Sequence, residues 1–171
     1  MFTQAKSASE NRAGETGVIL ASTPDIRWAR RDIKSVNLLG QVLAKKAAHD
    51  AGADEALMID AEGYVTECGS TSFFIIRNDE ILTRTLSNDI LPGVTRRAII
   101  ALCELKGFKL SQTRFTLEQA LDADEAFISC ASSYILPVVQ IDGREMSAGK
   151  PGPVTLQLRD IYLEYVRASL I

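Results

Sequence analysis

The stretch from Ala56 to Arg84 constrains the fold of this chain most. It holds four short segments, Ala56–Asp60, Tyr64–Thr66, Ser72–Arg77 and Ile81–Arg84, each apolar or alternating and each separated from the next by only a few residues. Segments this short and this rich in branched and aromatic side chains read as strands. Ala61-Glu62-Gly63 and Asn78-Asp79 are turn formers, so the strands that they join must pair antiparallel. Before this run, Gly17 to Thr23 reads as a strand and Val36 to Asp50 as a helix that stops at Gly52. That helix carries an apolar stripe of Leu38, Leu39, Val42, Leu43, Ala47 and Ala48.

The remainder alternates helices with strands. Leu91-Pro92-Gly93-Val94-Thr95 opens a second helix whose apolar set is Val94, Ala98, Ile99, Ala101, Leu102 and Leu105, and Gly107 closes it. Phe108 to Phe115 continues as a strand. Thr116 with Gln119 three residues on has the form of a capping box before a short helix. Glu125–Cys130 and Ile135–Ile141 are further strands. Gly152-Pro153 starts the last helix, with Leu158, Tyr162, Tyr165 and Val166 on its inner face. The fold class is therefore mixed α/β (α+β), mainly antiparallel strands with flanking helices. Residues 17–171 form one folded unit, and residues 1–16 read as a polar, disordered leader.

Composition removes several classes of function. A net charge of −3 gives no general attraction to nucleic acid or to anionic membrane surfaces. No apolar run reaches the roughly 18 residues that a membrane helix needs. The three cysteines, Cys68, Cys103 and Cys130, are widely spaced and lack a C-x-x-C pattern, which points to free thiols in a reducing compartment, the cytoplasm. His49 is the single histidine and reads as a helix-end surface residue, so no histidine-based metal site or triad is expected.

Four stretches can carry chemistry. Lys34 follows Arg27, Arg30, Arg31 and Asp32 and precedes the first helix. A lysine among like charges or partly buried has its ammonium form destabilised, and once deprotonated it can act as a nucleophile or form a Schiff base. Glu67, in Val65-Thr-Glu-Cys-Gly-Ser-Thr-Ser72, could hold a protonated ring nitrogen from a strand end; taken alone it reads first as a solvent-facing strand-end glutamate. Gly93-Val94-Thr95 offers backbone N–H groups and a hydroxyl at a helix start, where an anion such as phosphate is favoured. Ile128-Ser-Cys-Ala-Ser-Ser133 offers a second anion nest. Each signal taken alone is weak.

Together and in this order, the stretches D-I-R-W-x-R-x-D-I-K-S-x-N-L-L, V-T-E-x-x-S-x-S, L-P-G-V-T-R and S-S-x-x-x-P-V resemble the class IV (fold type IV) pyridoxal-phosphate aminotransferases. Within that family they are most similar to the D-amino-acid aminotransferases. The likeness runs from about Gly17 to the C-terminus and closes with Gly149-Lys-Pro-Gly-Pro-Val154. After the lysine the chain lacks the glycine-asparagine-tyrosine continuation of the branched-chain members.

The resemblance implies the C-terminal, cofactor-binding domain of that fold, with pyridoxal 5'-phosphate as cofactor. Lys34 would form the Schiff base and shuttle the proton between the substrate α-carbon and the cofactor. Glu67 would pair with the pyridinium nitrogen, and Leu91 would lie against the ring. Val94 and Thr95 would hold the phosphate, with a second contact at Cys130 and Ala131. Relatives carry hydroxyls at those last two positions, so Ser132 is the nearest substitute here. The implied reaction is transamination between a D-amino acid such as D-alanine and a 2-oxo acid, in a homodimer. The resemblance also implies that an N-terminal domain is missing, with residues 1–16 in its place and Arg12 their one arginine. An aminodeoxychorismate-lyase-like enzyme and a non-catalytic, truncated cofactor-binding domain are the alternatives.

Overall fold

The computed structural model describes residues 12–169. In chain order these form α1 (Ala13–Thr16), β1 (Val18–Pro24), α2 (Leu39–Asp50), β2 (Glu55–Ile59), β3 (Val65–Cys68), β4 (Ser72–Arg77) and β5 (Glu80–Thr83). There follow α3 (Val94–Lys106), β6 (Lys109–Gln112), α4 (Leu117–Leu121), β7 (Glu125–Cys130), β8 (Tyr134–Ile141), β9 (Arg144–Glu145) and α5 (Pro153–Ala168). Most of the expected leader, residues 1–11, lies outside the described residues. Its end is not irregular: Ala13–Thr16 forms a helical turn, and Gly14 packs against the Arg159 guanidinium so closely that a Cβ there would come within 2.2 Å of it.

The strands form one mixed sheet in the order β3-β2-β1-β8-β7-β4-β5-β6, with β9 hairpinned onto β8. The expected hairpins are present. β2 pairs antiparallel with β3, and β4 with β5, through a turn in which Asn78 and Asp79 both take positive φ. This is the left-handed geometry that tight hairpins require. β1 lies parallel to both β2 and β8, and β5 parallel to β6. The sheet curls until its ends meet: Val65 N–H donates to Phe115 O at 3.0 Å, and Tyr64 bridges Thr116.

Alternation along the central strands builds two cores. On β4, Phe73 and Ile75 join Val18, Leu20, Leu57, Ile128 and Val138 on one face. Phe74 and Ile76 face the other way, with Phe127 and Ile135, against Ile99 of α3 and Leu158 of α5. Successive strand side chains point to opposite faces, so a strand buried on both sides must be apolar throughout. The Phe74 and Phe127 rings stack at 4.5 Å.

Helix ends follow the expected chemistry more closely than helix faces do. The Thr116–Gln119 capping box forms in both directions, and Gly107 ends α3 in the left-handed conformation. The helix before Ala51 starts at Leu39 rather than Val36, and its apolar stripe faces outward. Leu38, Leu39, Val42 and Leu43 are about half exposed or more, whereas Ala44 and Ala48 are buried against Ala56 and Met58. On α3, Val94 and Leu105 also point outward, leaving Thr95, Arg96, Ile99, Leu102 and Cys103 inside. On α5, Leu158 and Tyr162 are buried, Val166 is partly so, and Tyr165 is exposed.

Candidate active site

The β1–α2 connection is held by charge rather than by apolar packing. Ile26, Trp28, Ile33 and Val36 are all exposed. Asp25 and Arg27 lie two residues apart in an extended segment, so their side chains can meet: Arg27 Nε and Nη2 donate to the Asp25 carboxylate at 2.9 and 2.7 Å. Arg27 Nη1 donates to Glu67 Oε1. Arg31 pairs with Asp25 at 3.2 Å and with Asp89 at 3.1 Å, and Arg30 pairs with Asp32 at 2.8 Å. The cationic cluster expected to press on Lys34 is thus neutralised residue by residue.

Lys34 sits at the apex of a tight turn, closed by Ser35 N–H donating to Ile33 O at 2.9 Å. Lys34 makes no hydrogen bond or ion pair with any described residue. It lines a cavity of about 590 Å³, opposite elements that are distant in sequence.

Glu67, on β3, reaches the same cavity and is only 6% exposed, not the solvated strand end that it could have been. Burial pushes its carboxyl above the ordinary range, and Arg27 and the Leu91 N–H pull it back only in part. Oε1 is occupied by Arg27. Oε2 receives only a long N–H from Leu91, at 3.3 Å, and retains acceptor capacity.

Leu91, Gly93, Val94 and Thr95 supply another wall. Gly93 begins α3 in an extended conformation without any side-chain cap, so the first-turn N–H groups lack the partners that Thr116 provides for α4. A Cβ on Gly93 would stand 3.1 Å from Ser72 Oγ. Thr95 is buried, and burial pushes the nearby Tyr162 phenol upward, with Thr95 opposing it.

Cys130 and Ala131 close the cavity at the end of β7. Ser132 is not among its lining residues; it is exposed, with its hydroxyl 3.4 Å from Cys130 Sγ. The hydroxyl that does face this region is Ser129, one residue before the expected pair. It is buried, lines the cavity and has no hydrogen-bond partner among the described residues, as is also true of the Thr71 hydroxyl there. Strand alternation could have singled it out, since Ser129 lies between Ile128 and Cys130 on a strand whose end was already marked. Asp25 and Arg27 were visible only as members of a charge cluster.

A cavity with a lone lysine, a buried carboxylate with one free lobe, an uncapped helix start and an unsatisfied buried hydroxyl fits a flat ligand bearing an anionic group at one end and a basic ring nitrogen. Pyridoxal phosphate has that form. The three cysteines are free; burial holds the Cys68 thiol well above its ordinary value and pushes Cys103 up to about 11.

Comparison with known proteins agrees with this geometry. The model of the class IV amino-transferase family matches residues 1–141, a span that extends over the polar leader upstream of Gly17. D-alanine aminotransferase of Listeria monocytogenes is 42% identical over 142 residues, covering 83% of this chain and 49% of that protein. The Staphylococcus haemolyticus D-alanine aminotransferase is 41% identical over 154 residues, covering 90% of this chain and 54% of its own length. Among solved structures, the holo form of Thermobaculum terrenum branched-chain amino acid aminotransferase superposes with a TM-score of 0.86 at 32% identity, covering 95% of this chain and 54% of that one. That of Thermoproteus uzoniensis, with norvaline, gives 0.77 at 31%, covering 89% and 52%. The chain spans about half the length of the curated relatives that it matches. Class IV aminotransferases use pyridoxal phosphate, and this chain belongs to the class IV aminotransferase family.

Proposed function

We propose that the chain binds pyridoxal phosphate through Lys34 and serves transamination between a D-amino acid, D-alanine in the first instance, and a 2-oxo acid. The observation that carries this reading is the convergence of Lys34, Glu67 and the first turn of α3 on one cavity. When bound, the cofactor supplies an electron sink for charge developing at the substrate α-carbon. Lys34 Nζ, free of competing partners, attaches the cofactor and afterwards moves the proton at the substrate α-carbon. Glu67 Oε2 accepts the ring N–H. The N–H groups of Val94 and Thr95 and the helix dipole of α3 hold the phosphate, with the Ser129 hydroxyl and the backbone of Cys130 and Ala131 on its far side.

The two curated relatives at 41–42% identity support D-alanine as donor. The branched-chain enzymes among the solved structures support a second reading, with a branched L-amino acid as donor. Incubating the chain and pyridoxal phosphate with 2-oxoglutarate and either D-alanine or L-leucine separates the two. Pyruvate formed from D-alanine in amounts that depend on 2-oxoglutarate is expected. Product from L-leucine alone would overturn the D-amino-acid reading, and failure to develop a visible cofactor band would overturn the cofactor reading itself.

A further inference from the structure

We infer that Asp25 is a positioning residue that sets the charge of the Glu67 site: acting through Arg27, it lets Glu67 hold a protonated ring nitrogen. This rests on the cofactor reading above.

The geometry is a buried carboxylate–guanidinium–carboxylate chain. The Asp25, Arg27 and Glu67 side chains are 0%, 5% and 8% exposed. Arg27 grips Asp25 with two N–H groups and Glu67 with a third. Thr66 Oγ1 also donates to Asp25, at 2.7 Å, and Arg31 Nε stands 3.2 Å away. Burial alone would raise the Asp25 carboxyl, but Arg27, Thr66 and Arg31 outweigh it and hold the group below its ordinary value, as an anion.

In a buried site a protonated pyridine nitrogen is favoured when it faces net negative charge. Glu67 with Arg27 alone is a neutral pair, and a neutral pair in a buried site gives the ring nitrogen little reason to stay protonated. Asp25 returns the group of three to a net charge of −1, which a pyridinium would balance. Arg31 is offset by Asp89 at 3.1 Å, and Arg84, which also grips Asp89 at 2.8 Å, is offset in turn by Asp60 at 3.0 Å. Arg96, buried on the same cavity and coupled to Glu67, adds positive charge that makes the Asp25 anion more necessary. In sequence, Asp25 and Arg27 flank Ile26 just after β1, and the Arg27 N–H also donates to Asp25 Oδ1 at 3.2 Å.

The test is the protonation state of the bound ring nitrogen, read from the nitrogen chemical shift of pyridoxal phosphate labelled with nitrogen-15 at the ring position. The wild-type chain at neutral pH is expected to show a pyridinium resonance. Asp25→Asn is expected to move it to the neutral pyridine position, although the cofactor band persists. Adding Arg27→Gln to that variant leaves Glu67 as the one charged member of the three and is expected to restore the pyridinium, a rescue that no purely structural role predicts. Arg27→Gln alone, with both carboxylates kept, is expected to raise the ring-nitrogen pKa; this arm decides the matter if Asp25→Asn does not fold. A pyridinium resonance that survives in folded Asp25→Asn overturns the inference. So does a double variant without rescue, or a ring-nitrogen pKa that fails to rise in Arg27→Gln. Absence of bound cofactor in the wild-type chain would overturn the cofactor reading, and this inference with it.

Discussion

Glu125 should be one of the most costly side chains in the molecule to remove, although it touches no part of the cavity. At the start of α5 the N–H positions from Gly152 to Thr155 precede the first intrahelical bond, which Leu156 makes. Pro153 has no N–H, and Leu156 N–H donates to Gly152 O at 3.0 Å. Val154 and Thr155 donate to the two oxygens of Glu125 at 3.0 and 2.8 Å. The carboxylate is 5% exposed, so truncation leaves both donors without water. Two orphaned donors at roughly 1–3 kcal/mol each, with the lost attraction between carboxylate and helix dipole, give about 3–4 kcal/mol for Glu125→Ala. Gly152 makes room for this cap: a Cβ there would lie 2.0 Å from Glu125 Cδ, so Gly152→Ala should cost about 2 kcal/mol in the wild-type background. In the Glu125→Ala background the clash is gone, and the same change should cost less than about 0.5 kcal/mol. Urea denaturation of the cofactor-free chain, followed by far-UV circular dichroism, measures all three. A Glu125→Ala cost below about 1 kcal/mol, or simple additivity of the two changes, would refute the reasoning.

Two further outcomes follow from the structure. Glu67 has its folded-state pKa raised by burial, so its contribution to stability is greatest in acid. It should decline as pH rises from the ordinary carboxylate value of 4.5 through the higher folded one. Glu67→Gln should lose this decline, so that the variant gains on the wild type toward neutral pH in paired denaturation curves; a variant that instead loses ground to the wild type as pH rises would contradict the sign. On α2, replacing Leu39 and Val42, 63% and 56% exposed, with glutamate and lysine should leave stability within about 0.5 kcal/mol and reduce self-association in sedimentation velocity. A marked loss of stability would mean that these side chains are packed against the chain's own core.

That stripe also shows where hydrophobic periodicity misleads. Leu38, Leu39, Val42 and Leu43 look like the buried face because they are large, but α2 lies close to β1 and β2. The space there is already filled by Met58 and partly buried Ile19, so only alanines fit. Periodicity reports where apolar residues recur and carries no information on how much room the facing sheet leaves. Local signals fared better. The Thr116–Gln119 box, the Asn78-Asp79 turn and the Gly107 stop each encode a short-range geometry that little else in the chain can overrule. The curl that brings Val65 to Phe115 depends on strand order across the whole sheet, and no local pattern carries it.

The candidate site divides the same way. Lys34, Glu67 and Gly93-Val94-Thr95 could be read because their stretches are distinctive, and they do share one cavity. The neutralisation of the arginines around Lys34 could not be read, because Asp89 and Glu67 reach them from other elements. The exchange of Ser132 for Ser129 as the hydroxyl beside Cys130 is legible only through strand alternation, since it depends on where β7 ends relative to the cavity.

The central claim is that Lys34 is the lysine that carries pyridoxal phosphate. It is tested most directly by incubating the chain with the cofactor, reducing with borohydride, digesting, and locating the phosphopyridoxyl group by mass spectrometry. Lys45 also lines the cavity, but it is engaged by Ser70 at 2.7 Å and Glu55 at 3.1 Å. The expected result is a single adduct on the peptide containing Lys34, absent from Lys34→Ala. An adduct on Lys45, or one that survives Lys34→Ala, would contradict the account.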